Sequence, residues 1–133
     1  MERNVIFRAK RIDSNEWIYG SLFTDAKGQH YIKEPNGKLY FIENEDSIGQ
    51  FTGMLDNEGR QMFEDDILDL YIPRNAIGKS EHRKRKVTWK DYGFKFTNKY
   101  GDCFCDRCTT STQLIYTIIG NMTDNPELIE DTL

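Results

Sequence analysis

Long hydrophobic runs are absent from this sequence. The longest uncharged apolar stretch lies near Leu114 to Ile119, far short of the roughly 20 residues a helix needs to cross a bilayer, so no membrane-spanning segment is expected. The chain opens Met1-Glu2-Arg3-Asn4, and Arg8 interrupts the first apolar residues before they build a signal-peptide core. A place in the cytosol is the expectation. Cysteine is scarce: Cys103, Cys105 and Cys108 are an odd number crowded into one stretch, unlike a secreted disulfide framework, and reduced thiols are expected. No linker rich in Pro, Ser or Gly divides the chain and no period of about 20 to 50 residues repeats, so one domain is expected. An excess of positive charge is missing too. The 22 acidic and 18 basic residues leave −4, which excludes the overall field of a general nucleic-acid binder and leaves only local patches. Gly-rich phosphate loops, a Ser-His-Asp order and His-Glu-x-x-His are all lacking, so an enzyme is not the leading reading.

What the chain does have is aromatic residues, 8 Phe, 7 Tyr and 2 Trp among 133, which suit the half-buried pleated surface of a strand. From Asn4 to Ile12 apolar and polar residues largely alternate, with Val5, Phe7 and Ala9 on one face, and Glu16 to Phe23 resumes after Asp13-Ser14-Asn15. Tyr31–Glu34 and Lys38–Ile42 flank Pro35-Asn36-Gly37, where Pro presets one turn torsion and Gly accepts a positive one. Ile48–Leu55 and Gln61–Phe63 flank the turn Asp56-Asn57-Glu58-Gly59, and Ile67 to Ile72 reads as a strand buried on much of both faces and stopped by Pro73. Arg85–Lys90 pairs plausibly with Phe94–Thr97 across Asp91-Tyr92-Gly93, and Leu114–Ile119 is the last strand. Asn125 as N-cap, Pro126 behind it and Glu127 spell a short terminal helix. Short strands with frequent turns and no room for crossover helices predict a mainly β fold: a compact twisted sheet or SH3-like barrel-type domain with β-hairpins and a short C-terminal helix. The expected order is hairpins over 1–45, a barrel-like core over 46–121 and a helix over 125–131.

Ile48-Gly49-Gln50-Phe51-Thr52-Gly53, then Asp56-Asn57-Glu58-Gly59, then Phe63-Glu64-Asp65-Asp66-Ile67 resemble the YopX-like family of small phage and prophage proteins. Phe7-Arg8-Ala9 with Trp17-Ile18-Tyr19-Gly20, Val87-Thr88-Trp89, and Ile119-Gly120-Asn121 with Asn125-Pro126-Glu127-Leu128 extend the resemblance over nearly the whole chain. Asp65 stands where members resembling this one usually carry glycine, which makes a positive φ there less secure, although Asp is among the residues that tolerate it. The resemblance implies a mainly β domain with an SH3-like barrel-type portion and a phage or mobile-element origin. It brings no established activity and no catalytic residues.

Four groups carry candidate chemistry. Glu64-Asp65-Asp66 is the densest carboxylate cluster, but strand neighbours point to opposite faces, and the plainer role is that Asp66 accepts hydrogen bonds from turn amides. Cys103, Cys105 and Cys108 place three soft ligands in one loop with a Cys-x-x-Cys spacing that suits Zn²⁺. The fourth ligand is missing, with His82, His30 or Asp102 as the available completions and free thiols as the alternative. Arg83, Lys84, Arg85 and Lys86 run into Trp89 and Tyr92, the mix of phosphate attraction and stacking surface that single-strand binders use; the competing reading is a solvated loop leading into an edge strand guarded by lysines, with the aromatics in the core. Trp17, Tyr19 and Phe23 alternate with Ile18 and Leu22. Core packing is the expected use of that aromatic face, whereas exposure would mark an interface and suit a homo-oligomer. The leading reading is a phage-type, non-enzymatic interaction module that binds another protein or itself, ahead of a nucleic-acid-binding β-domain and a small Cys-ligated metal protein.

Overall fold

A computed structural model of the chain describes residues 6–73, 77–102 and 114–130. The fold is mainly β, as expected. Among the described residues ten strands, β1 (Phe7–Lys10), β2 (Trp17–Thr24), β3 (His30–Lys33), β4 (Leu39–Ile42), β5 (Gly49–Leu55), β6 (Gln61–Phe63), β7 (Asp66–Ile72), β8 (Glu81–Lys90), β9 (Gly93–Thr97) and β10 (Ile115–Asn121), are followed by one short α-helix, α1 (Glu127–Glu130). They build antiparallel sheets and, among the described residues, no closed barrel. The chain divides into two compact units, the first ending at Gly53 and the second beginning at Met54.

In the first unit the strand order is β4-β3-β2-β1-β5. The β3–β4 hairpin turns as its sequence demands: Gly37 takes φ +91°, the Glu34 N–H donates to the Lys38 carbonyl at 2.9 Å, and Asn36 Oδ1 accepts from the Lys38 N–H at 2.8 Å. Ala9 pairs with Ile18 across β1–β2, Leu22 with Ile32 across β2–β3, and Ile32 with Tyr40 across β3–β4. Directly opposed residues share a face, so Ala9, Ile18, Ile32 and Ile42 close one aliphatic core with Phe7, Leu22, Tyr40 and Ile48 against it. Gly20 is fixed by space: a Cβ there would stand 2.0 Å from the Lys33 carbonyl oxygen.

In the second unit the order is β10-β7-β8-β9. β7 is the strand buried on both faces, with Ile67, Leu68, Leu70 and Ile72 fully enclosed. Met62, Leu68 and Val87 form the core, and Phe94, Phe96, Tyr116 and Ile118 pack on it. The turn into β7 works as its residue types suggest. Asp65 adopts φ +73°, so aspartate fills the left-handed position in place of glycine, and buried Asp66 accepts from the Phe63 N–H at 2.7 Å. The helix begins two residues later than the expected 125, because Asn125 and Pro126 make its entry: the Asn125 carbonyl accepts from the Leu128 N–H. Gly120 leaves room for that entry, since a Cβ would meet Asn125 Oδ1 at 2.7 Å and Leu128 Cδ1 at 2.8 Å.

Candidate functional site

The outer face of the first sheet is built by the same alternation that closes its core. Arg8 pairs with Tyr19, Lys10 with Trp17, Ser21 with Lys33, Phe23 with Tyr31, Tyr31 with Phe41 and Lys33 with Leu39. These residues therefore project opposite to Ala9, Ile18 and Ile32. Tyr19, Phe23, Leu39 and Phe41 keep 44–54% of their surface exposed. The expectation that the Trp17-Tyr19-Phe23 face is core is thus overturned, because the aliphatic side of the strand packs inward instead. Tyr31 and Phe41 lie with ring centroids 5.5 Å apart, and the Arg8 guanidinium sits 4.7 Å over Trp17 at the other end of the face.

A cleft of about 400 Å³ opens on this face between Phe23, Tyr31 and Leu39, with Asp25 and Lys33 among its lining. Asp25 belongs to the β2–β3 turn, where its Oδ1 accepts from the backbone N–H groups of Gln29 and Lys27, both at 2.9 Å, and the Tyr31 hydroxyl donates to its Oδ2 at 3.2 Å. The Gln29 amide above all, with help from Lys27 and Tyr31, holds the Asp25 carboxyl below the ordinary carboxylate range. Desolvation and the bond to Asp25 push the Tyr31 hydroxyl up. The cleft therefore offers two apolar rings and a leucine between a fixed anion and an exposed lysine. Of the residues on this face, Tyr31, Leu39 and Phe41 were not singled out from sequence; their alternation with Ile32, Tyr40 and Ile42 was the available signal, but only the strand register assigns it to a face.

The basic run behaves differently from its expected placement. It lies within β8, which starts at Glu81, so it is strand and not loop; β7 pairs with Glu81–Lys86, and β9 joins on the other side only from Lys86 to Lys90. The strand then divides its charges. Arg85 pairs with Leu68, Arg83 with Leu70 and Trp89 with Phe94, on the side of the aromatic core. Lys84 pairs with Asp69, Lys86 with Thr97, Thr88 with Lys95 and Lys90 with Gly93, on the other side. Arg83 is held by Glu81 at 2.6 Å, Arg85 is buried, and Trp89 packs edge-on against Phe94 at 4.8 Å. Tyr92 is 98% exposed at the tip of the β8–β9 hairpin, where Asp91 and Tyr92 both take positive φ. The six residues proposed together from sequence are thus split between two faces and a turn.

Cys103, Cys105 and Cys108 lie outside the described residues. Of the ligands considered to complete them, His82 contacts Asp69 at 2.9 Å and stacks on Tyr71, His30 contacts Thr24 at 2.8 Å, and the Asp102 N–H donates to Asn98 Oδ1. Glu64-Asp65-Asp66 is turn chemistry, while the carboxylate that organises most backbone is Asp56. Its side chain is fully buried and accepts from the amides of Glu58, Arg60 and Ile118 at 2.8–2.9 Å and from Arg60 Nε at 3.1 Å. Burial alone would raise its pKa; the amides of Ile118, Arg60 and Glu58 outweigh that and leave it below the ordinary range. Its position in a turn was visible in the sequence, its bond to Ile118 on β10 was not.

Fold and surface together define a mainly β protein with two antiparallel sheets and an exposed aromatic face on the first of them. The chain belongs to the YopX protein family, whose model matches residues 6–130. Among solved structures it is similar to protein EF1440 from Enterococcus faecalis, with a TM-score of 0.59 and 22% sequence identity over 96% of this chain and 99% of that one. That likeness is one of fold. No curated protein matches the chain.

Proposed function

We propose that this chain is a non-enzymatic interaction module of phage or prophage type, acting in the host cytosol, that grips a short apolar segment of a partner protein on the outer face of its first sheet. The observation that carries this is the exposed Tyr19, Phe23, Leu39 and Phe41, gathered beside a cleft with charge at its margin. Large apolar groups gathered on an exposed sheet face gain free energy when a partner covers them. The cleft suits one bulky apolar side chain, and the ionised Asp25 favours a Lys or Arg next to it in the bound segment. Selection from a displayed random peptide library tests this. Enriched sequences are expected to join a large apolar residue to a basic one, and Phe23→Ala or Leu39→Ala is expected to weaken them at least tenfold while leaving the melting temperature unchanged. No enrichment, or binding that survives both substitutions, ends the proposal.

A second reading rests on Lys84, Lys86, Lys90 and Lys95, which share one face of the second sheet. Such a stripe favours nucleic-acid phosphates, although Trp89 faces away from it. Single-stranded DNA would then bind with an affinity that drops steeply as salt is added, and no binding at low salt removes this reading.

A further inference from the structure

We propose that the segment bound on the first sheet is bipartite: it crosses Leu39 from the cleft on the face into a second cleft at the rim of β4, where a second apolar residue and a second Lys or Arg are read. This rests on the peptide-binding role proposed above and adds where the peptide continues and what it carries there. The second cleft, of about 310 Å³, opens between the β1–β2 turn and β4. Ile12, Leu39 and Phe41 form its apolar lining and Arg11, Asp13 and Glu43 its charged lining. Ile12, Leu39 and Phe41 keep 46–57% of their surface exposed, so a side chain that covers them gains the same kind of burial as in the first cleft. Leu39 lines both clefts, which makes it the ridge between them.

Two residues of extended chain advance about 7 Å and put their side chains on one side. An extended segment lying across Leu39 therefore places one side chain in each cleft. The second cleft is built before anything enters it. The Arg11 guanidinium meets Asp13 Oδ2 at 2.7 Å and stands 4.7 Å over the Tyr40 ring, and Lys38 Nζ stands 4.9 Å from the centre of the same ring. Groups already held in place cost little further ordering on binding. Charge selects the occupant. Arg11 and Asp13 balance one another and Lys38 lies in the field of Glu34, whereas among the described residues no cation pairs with Glu43. A Lys or Arg beside the second anchor supplies that charge, as one beside the first answers Asp25, and both suit a chain whose net charge is −4. The occupant is thus a basic, extended segment of another protein with one apolar residue for each cleft.

Selection from a displayed random peptide library, on the full chain and on two variants of it, tests this. Sequences enriched on the wild type are expected to carry two large apolar residues an even number of positions apart, each with a Lys or Arg beside it. Glu43→Lys is expected to keep the first apolar and basic pair and to exchange the second base for Asp or Glu. Ile12→Ser is expected to keep the first pair and lose the preference for a second apolar residue. Both substitutions lie at exposed positions and are expected to leave the melting temperature unchanged. For one enriched peptide, replacing its second half with Gly and Ser is expected to weaken binding to the wild type about tenfold, the affinity that one further buried apolar side chain supplies, and to leave binding to Ile12→Ser unaltered. A single apolar and basic pair with no second preference, or a second base that Glu43→Lys does not change, overturns the inference while the reading with one cleft stands. No enrichment at all ends both.

Discussion

The two units of this chain solve the same packing problem with opposite choices. The first buries Ala9, Ile18, Ile32 and Ile42 and turns Tyr19, Phe23 and Phe41 to solvent. The second packs Phe94, Phe96 and Tyr116 onto its core and turns Lys84 and Lys86 the other way. Both strands sets alternate, so alternation alone does not make an aromatic face a core. Where β-branched and small residues supply the tighter inner layer, as around Ala9 and Gly20, the rings are displaced outward; where Val87 and Leu68 leave room beside them, the rings complete the core.

That comparison is most forcefully broken at the polar pin of the second unit. Asp56→Ala removes the acceptor of three part-buried amides and one partner of the Arg60 guanidinium, and is expected to lose about 2 kcal/mol, read as a shift of the urea midpoint. Its counterpart in the first unit is Gly20→Ala, whose methyl cannot fit beside the Lys33 carbonyl; β2 and β3 must part, and amide exchange is expected to quicken in those strands. A milder pair sharpens the contrast with one residue type. Phe96→Ala is expected to cost about 2 kcal/mol, while Phe23→Ala stays within about 0.5 kcal/mol, and equal losses at both sites would refute the assignment of faces.

Acid supplies a smaller effect. The folded pKa of Asp56 is depressed, so its stabilisation is complete above the ordinary carboxylate value, near pH ~4, and is lost as the pH falls through the folded value. Melting temperatures of the wild type should therefore decline below that point, and Asp56→Asn should flatten the decline; an unaltered slope would argue that another carboxylate governs acid unfolding. The smallest effect is expected at Cys103 and Cys108: their joint change to serine should leave melting unaltered, and zinc retained by the wild type and lost by the variant would support the metal reading.

Much of the fold was legible because turns write themselves locally. Pro35-Asn36-Gly37 and Asp56-Asn57-Glu58-Gly59 fix hairpins through φ preferences and side-chain acceptors that act within four residues, and β6 occupies the expected Gln61–Phe63. The basic stretch was harder. His82-Arg83-Lys84 looks like a solvated loop, yet it extends β8 because Asp69, Tyr71 and Ile72 on β7 lie opposite and supply partners for charge, ring and backbone. The aromatic site was half legible: the sequence shows two unlike faces on Glu16 to Phe23, and nothing in it states which is covered.

By itself, then, the sequence determined the class of fold, the turns, and the family to which the chain belongs, because each depends on short-range torsional preference or on the order of motifs. Tertiary structure decided the rest. Which side of an alternating strand is buried depends on what packs against it, and whether Arg85 meets Leu68 or Lys84 meets Asp69 depends on a register set by other strands. The candidate site lies in that second category: Phe23, Tyr31, Leu39 and Phe41 are far apart in the chain and become one surface only when three strands align.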